Sequence, residues 1–93
     1  MGGNYVWNTE KNKWLKANRG ISFEEVVFCI EHDGLVDTIK HPNSQKYSNQ
    51  QIFVVAVNNY IYYIPFVRNR SEFFLKTIIP SRKGTKRYLS GGL

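Results

Sequence analysis

The sequence predicts an α+β domain: a small antiparallel sheet with two N-terminal helices packed on one face and a short C-terminal helix. Three observations predict this class. Apolar residues recur at helical spacing before Gly34. After it, β-branched and aromatic residues fill short runs separated by turn residues, and a basic segment follows Pro80. Because the chain has 93 residues, we expect a single domain, with an ordered core over about residues 5–88.

The first two predicted elements are a strand and a helix. Residues 5–7, two aromatic residues around a valine, are typical of a short strand. A helix follows over about residues 10–18, capped by Asn8 or Thr9 and stopped by Gly20. Its narrow apolar stripe consists of Trp14 and Leu15.

The second helix has the clearest start signal in the chain. Ser22 and Glu25 have the spacing of a capping box, and Ile21 and Val26 have that of a hydrophobic staple. We expect this helix to end near His32, with Gly34 just beyond it. Its core-facing residues are Phe23, Val26, Val27 and Ile30.

Four strands are predicted after Gly34, at residues 35–40, 51–57, 60–67 and 72–79. Asn58-Asn59 is a plausible two-residue turn, since asparagine tolerates a positive φ. Pro65 has no N–H, which predicts an edge or a bulge at that position. Pro80 is expected to end the last strand, and Ser81 to cap the terminal helix.

Composition limits the partners and the compartment. The chain is 42% hydrophobic with a net charge of +6 and a pI near 9.6, so an acidic partner is expected, either nucleic acid or protein. The chain has a single cysteine, Cys29, which cannot form an internal disulfide. We expect it to be a small core residue in a reducing compartment. No apolar run approaches the roughly 18 residues of a membrane span. We therefore expect a cytoplasmic protein with no membrane partner.

The segment from Lys76 to Tyr88 is the most informative part of the sequence. It contains five cations and no acid. If it is helical after Ser81, Arg82 and Lys86 form an i,i+4 pair of like charges, and Lys83 and Arg87 form another, which costs helix stability. A sequence that accepts this cost favours an anionic ligand, and nucleic acid is the common cellular polyanion. The alternative is a solvated basic tail.

The polar residues of the chain suit one class of reaction, the cleavage of RNA without a metal. The sequence lacks the usual motifs for phosphate loops, metalloproteases and structural zinc, and we expect no metal and no cofactor. Attack of a 2′-OH on its phosphate needs charge stabilisation and proton transfer, which arginine and tyrosine can supply. The catalytic candidates are Arg82, Arg87 and Tyr88. The RNA-binding candidates are Lys76, Lys83, Lys86 and Arg68. Tyr47, Tyr60, Tyr62 and Tyr63 are possible sources of an exposed ring for stacking on bases, but about half of the tyrosines in strands are core residues or cross-strand pairs, so only Tyr88 is predicted.

Three segments resemble the BrnT family of toxins from type II toxin–antitoxin systems. Residues 5–12 resemble that family's aromatic-x-Trp-Asp/Asn-x-x-Lys start, and residues 18–26 its KHG[VI]SFEEA motif, with Arg19 in place of the histidine. Residues 78–87 resemble its IISARKATKR tail. The resemblance implies a RelE-like fold, metal-free ribonuclease activity that halts translation, and a cognate antitoxin protein. It also implies that the basic motif consists of Arg82, Lys83, Lys86 and Arg87.

Two classes of function follow from the sequence. The first is an RNA-cleaving toxin. The second is a non-catalytic basic module that binds RNA or an acidic partner protein. Cleavage of RNA by the purified protein in EDTA would distinguish them.

Overall fold

The computed structural model describes residues 4–43, 45–46 and 49–89, and these form three α-helices and six β-strands. The predicted α+β class is confirmed. The helices are α1 (Thr9–Arg19), α2 (Phe23–Cys29) and α3 (Arg82–Leu89). The strands are β1 (Asn4–Trp7), β2 (Leu35–Lys40), β3 (Gln50–Val57), β4 (Tyr60–Asn69), β5 (Glu72–Leu75) and β6 (Ile79–Ser81). No helix in these ranges is long and apolar enough to cross a membrane.

The sheet has the strand order β1-β5-β4-β3-β2, with β6 also paired to β4. It is mixed, whereas the sequence predicted a purely antiparallel sheet. The strands β2 to β5 are antiparallel neighbours, but β1 pairs with β5 in parallel. The difference arises because α1 and α2 follow β1, so no hairpin joins it to its neighbour, and a strand that is not hairpin-linked can pair in either direction.

The last predicted strand, residues 72–79, is two strands. β5 pairs with Phe66–Asn69 of β4, and β6 pairs with Ile61–Tyr63 on the same edge. Pro65 lies where this edge changes from one strand to the other, and its carbonyl accepts from the Lys76 N–H at 2.8 Å. Its missing N–H is tolerated in a central strand because the pairing on this edge is interrupted between Phe66, opposite β5, and Tyr63, opposite β6. Pro80 lies within β6 and does not end the ladder.

The main core lies between the sheet and the first two helices, on what we call the α1/α2 face. Leu15, Phe23 and Val26 are fully buried there against Val55 and Ile64 of the sheet. Trp14, predicted as part of the apolar stripe, is instead 45% exposed. It lies on the surface of α1 between Lys11 and Arg19, whose charged groups are 4.6 and 5.2 Å from the ring centroid.

The start of α2 confirms the predicted capping box. Ser22 Oγ accepts from the Glu25 N–H at 3.1 Å, and Glu25 Oε1 accepts from the Ser22 N–H at 3.1 Å. The sequence did not identify Asn12, a buried residue of α1 whose Oδ1 accepts from the Phe23 N–H at 2.8 Å. Asn12 therefore joins the two helices: it accepts from one of the unpaired N–H groups at the start of α2, and its Nδ2 donates to Glu24 Oε1 at 2.8 Å.

The end of α2 differs from the prediction. The α-helix ends at Cys29 and continues as a π-helical turn over Ile30–Gly34. Asp33, with φ 71°, takes the left-handed conformation that was expected at the helix stop, Gly34. Within this turn His32 Nδ1 lies 2.7 Å from the Phe28 carbonyl oxygen, so the ring interacts with a carbonyl group at the end of the helix.

Replacing Ser22 by alanine is expected to lower the free energy of unfolding by about 1 kcal/mol, because the Glu25 N–H loses its side-chain acceptor. Thermal unfolding measures the change. Thr9→Ala is the matched control, since Thr9 is exposed in the first turn of α1 and Asn8 supplies the cap there. Equal melting temperatures for the two variants would contradict the capping role of Ser22.

Candidate nucleic-acid interface

Helix α3 lies on the other side of the sheet, which we call the α3 face. Successive side chains of a strand alternate between the two faces of the sheet. Ile61 and Tyr63 of β4 therefore lie on the face that the core residue Ile64 does not occupy. The Thr85 hydroxyl accepts from the Ile61 N–H at 2.8 Å and donates to the Ser81 carbonyl at 2.8 Å. Ser81 Oγ accepts from the Gly84 N–H at 2.9 Å, which confirms it as the cap. Hydrogen bonds thus hold the helix on β4.

Gly84 allows the close approach of α3 to the sheet. A Cβ at this position would lie 2.8 Å from Ile61 Cγ2, 2.9 Å from the Tyr63 hydroxyl and 3.0 Å from Ser81 Oγ. All three distances are shorter than ordinary van der Waals contacts. The glycine therefore sets the height of α3 above the sheet, and with it the position of the basic side chains.

The four cations of α3 point away from the sheet. Gly84, Thr85 and Tyr88 make the contacts with the strands. Since successive residues of a helix are about 100° apart, the cations occupy an arc of about 140° on the opposite side. These residues, all exposed, are Arg82, Lys83, Lys86 and Arg87. The i,i+4 pairing of like charges predicted from the sequence is therefore realised.

The start of α3 has an unfavourable charge distribution. Arg82 and Lys83 occupy the first two positions of the helix, where the helix dipole is positive. Cations are destabilising at that end, by about 0.3–1 kcal/mol each. A bound phosphate would interact favourably with both side chains and with the dipole.

Tyr88 lies at the other end of α3, on its sheet-facing side. Its hydroxyl donates to Asp37 Oδ2 of β2 at 3.1 Å. Partial burial, and then the hydrogen bond to this carboxylate, raise the pKa of Tyr88 above its ordinary value. Tyr88 is therefore suited to donate a proton or a hydrogen bond rather than to act as a base. The sequence did not identify Asp37, because 51 positions separate it from Tyr88.

The structure separates the remaining predicted RNA-binding residues. Lys76 follows β5 on the α3 face, with Nζ 5.3 Å from the centroid of the Phe74 ring. Arg68 pairs with Phe73, whose ring contacts the core residues Phe53 and Phe66, so it lies on the α1/α2 face. Its guanidinium is 5.5 Å from the Phe73 ring. Arg68 therefore lies apart from the cations of α3.

The candidate tyrosines are also divided. Tyr60 and Tyr62 form an edge-to-face pair with ring centroids 5.6 Å apart on the α1/α2 face. Burial and neighbouring Tyr60 raise the pKa of Tyr62. Tyr63 lies under α3, and Tyr47 lies outside the described residues. Tyr60 and Tyr62 are therefore separated from the cations of α3 by the sheet, whereas the Tyr63 hydroxyl lies against Gly84 of that helix.

Arg19, which stands where the resembling motif has histidine, connects α1 with the segment that leads into β6. Its Nη1 donates to the Ile78 carbonyl, and its guanidinium packs on the Trp14 ring. Ile78 is fully buried and lies one residue before β6. Arg19 thus fixes the chain that positions Ser81 and α3.

Charge differs between the helices. Helix α1 has four cations and one acid. The span 23–34, containing α2 and the π-helical turn, has four acidic residues and neither lysine nor arginine. Helix α3 has four cations and no acid. A polyanion is therefore repelled from the surface of α2 and attracted to the cations of α1 and α3, and α3 is the one of these two helices that has no acid.

The comparisons with known proteins do not assign the chain to a family. No protein-family model, curated protein or solved structure matches it significantly. Among the described side chains, no group of three or more His, Cys, Asp or Glu is placed to hold a metal ion.

Proposed function

We propose that the protein is a toxin of a type II toxin–antitoxin system, acting as a metal-independent endoribonuclease that arrests translation. The single observation that carries the proposal is the arc of four exposed cations on α3, fixed to the sheet by Thr85 and Gly84. Such an arc binds a phosphate backbone, and a fixed arc can stabilise the charge that develops during strand cleavage. The resemblance to BrnT toxins supports the same function.

The proposed roles follow the geometry of α3. Arg82 binds the phosphate that is cleaved, because it adds a planar, permanently charged fork to the positive end of the helix. Lys83 and Lys86 bind neighbouring phosphates. Arg87, the second catalytic arginine, lies 5.8 Å from the centroid of the Tyr88 ring. Tyr88 is protonated and donates its hydrogen bond to Asp37 in the free protein. To act as a general acid, it exchanges this acceptor for the leaving 5′-oxygen of the RNA and transfers the proton to it.

A non-catalytic RNA-binding module is the second candidate. The observation that favours it is the Tyr88–Asp37 hydrogen bond, in which the hydroxyl proton already has an acceptor on the sheet, although the Arg87 guanidinium lies 5.8 Å from the centroid of the Tyr88 ring. In that case the same basic arc binds RNA without cleaving it.

A cognate antitoxin is the proposed protein partner. Strand β2 lies at one end of the strand order and exposes Leu35 and Val36. An apolar edge strand is a template on which a strand of another protein can pair. Such a contact would cover hydrophobic side chains that the described fold leaves in solvent.

Expression of the protein alone in a bacterial host is expected to arrest growth, and co-expression of its antitoxin to relieve the arrest. Translation would stop because messenger RNA is cut. Growth curves and RNA integrity after induction measure both effects, with a variant lacking all four α3 cations as the control. Normal growth at high soluble expression would contradict the toxin proposal.

A further inference from the structure

Phe74 is an exposed aromatic side chain on the part of the α3 face that lies beyond the helix. It pairs with Val67 of β4, four residues from Tyr63, and alternation places all three side chains on one face. The ring is 37% exposed, and Lys76 Nζ lies 5.3 Å from its centroid. An aromatic surface beside a cation is the combination that binds a nucleobase and its phosphate.

The distance from Phe74 to α3 suits a single strand of RNA. Ser81, where α3 begins, pairs with Ile61, and Phe74 pairs with Val67 on the same strand. Six residues of a strand span about 20 Å. That length corresponds to about six phosphates at the 3.4 Å spacing of one duplex strand. An extended single strand of RNA spans it with fewer phosphates. Ile79, itself exposed, lies between the two sites.

Phe28 shows why exposure alone is not sufficient. It is 60% exposed, more than Phe74, but it lies on α2 and stacks on His32 with ring centroids 4.0 Å apart. A shallow depression of about 410 Å³ joins it to Glu24 and Glu25. These carboxylates repel phosphate, whereas Lys76 attracts it.

We propose that Phe74 and Lys76 form a base-stacking subsite for single-stranded RNA, which extends the interface of α3 along β4 to the exposed end of this face. The inference rests on the proposed RNA function. An unpaired base stacks on the Phe74 ring while Lys76 binds the adjacent phosphate. Double-stranded RNA is excluded from this subsite, because its bases are already stacked within the helix.

The test compares two labelled oligonucleotides of about ten nucleotides, one of ordinary single-stranded RNA and one abasic, in binding to the whole protein. Phe74→Ala is expected to weaken binding of the ordinary RNA about tenfold and to leave the abasic oligonucleotide unaffected. The salt dependence of binding should not change, since no phosphate contact is lost. Phe74→Tyr should bind as the parent does, and Phe28→Ala is the control that should change neither affinity.

The outcomes separate the subsite from the function. Equal affinities of Phe74→Ala and the parent for ordinary RNA, or an equal loss for both oligonucleotides, overturn the subsite alone. A parent protein that binds neither oligonucleotide overturns the RNA function together with the subsite. Phe74→Leu, which keeps an apolar side chain in register with Val6 of β1, repeats the test should the alanine variant fail to fold.

Discussion

Replacing Arg82 by alanine is expected to reduce the rate of RNA cleavage on the order of a hundredfold, the effect of removing one stabiliser of transition-state charge. RNA affinity should fall far less, because one phosphate contact of several is lost. The slope of log affinity against log salt should decrease by about 0.7, the value for one contact on a single strand. Cleavage at saturating RNA and affinity at two salt concentrations measure these quantities.

The same substitution should not destabilise the fold. Arg82 is exposed at the first position of α3, where a cation opposes the helix dipole, and alanine is a good helix former. The melting temperature should therefore stay the same or rise. Loss of activity without loss of stability distinguishes a functional arginine from a structural one.

Lys86→Ala is the matched control for Arg82→Ala. It also removes one exposed cation from α3, but from the last turn of the helix. We expect a similar decrease in the salt slope and a cleavage rate at saturating RNA within a few-fold of the parent. If both variants cut RNA at the parent's rate, α3 is not the active site.

Replacing Gly84 by valine is expected to have the second large effect, a loss of stability. Its Cβ would lie within 3.0 Å of atoms from Ile61, Tyr63 and Ser81, so α3 must move away from the sheet. We expect the free energy of unfolding to fall by about 2 kcal/mol, which is typical of overpacking, and the melting temperature to fall by about 8–16 °C. RNA binding should weaken as well, although no charge has changed, because the position of the cations depends on this contact.

Removal of the Tyr63 hydroxyl provides the control for Gly84→Val. This oxygen is one of the three close atoms, so the double variant with Tyr63→Phe should recover part of the lost stability. Gly84→Ala should be milder than Gly84→Val, since the higher helix propensity of alanine offsets part of the clash. Equal stability of the parent and Gly84→Val would mean that α3 does not pack on the sheet as described.

Local signals in the sequence predicted local structure well. Ser22 and Glu25 form the expected capping box, Asn58 and Asn59 both have positive φ in the turn, and Ser81 caps α3. Each of these features depends on neighbours within a few residues, so a single sequence contains the necessary information.

Features that depend on distant parts of the chain were not predicted. The parallel pairing of β1 with β5, the Asn12–Phe23 contact and the Tyr88–Asp37 hydrogen bond each join separate elements. Composition and periodicity do not encode such pairings. The cations of α3 were identified because charge and helical spacing are visible in sequence, whereas the placement of Arg68 on the opposite face follows only from the strand register.

The RelE-like topology and the BrnT membership implied by the resemblance remain predictions. The α+β class, the strand order and the basic α3 are features of the structure itself. The proposed function is therefore tested by direct biochemical measurement, not by membership of a family.

The most direct measurement is cleavage of single-stranded RNA by the purified protein in EDTA, with Arg82→Ala purified in the same way as the control for contaminating nuclease. A metal-independent endoribonuclease is expected to produce discrete RNA fragments in EDTA, and the variant to produce them about a hundredfold more slowly. Intact RNA after incubation with folded parent protein, or equal cleavage by parent and variant, would contradict the proposed activity of α3.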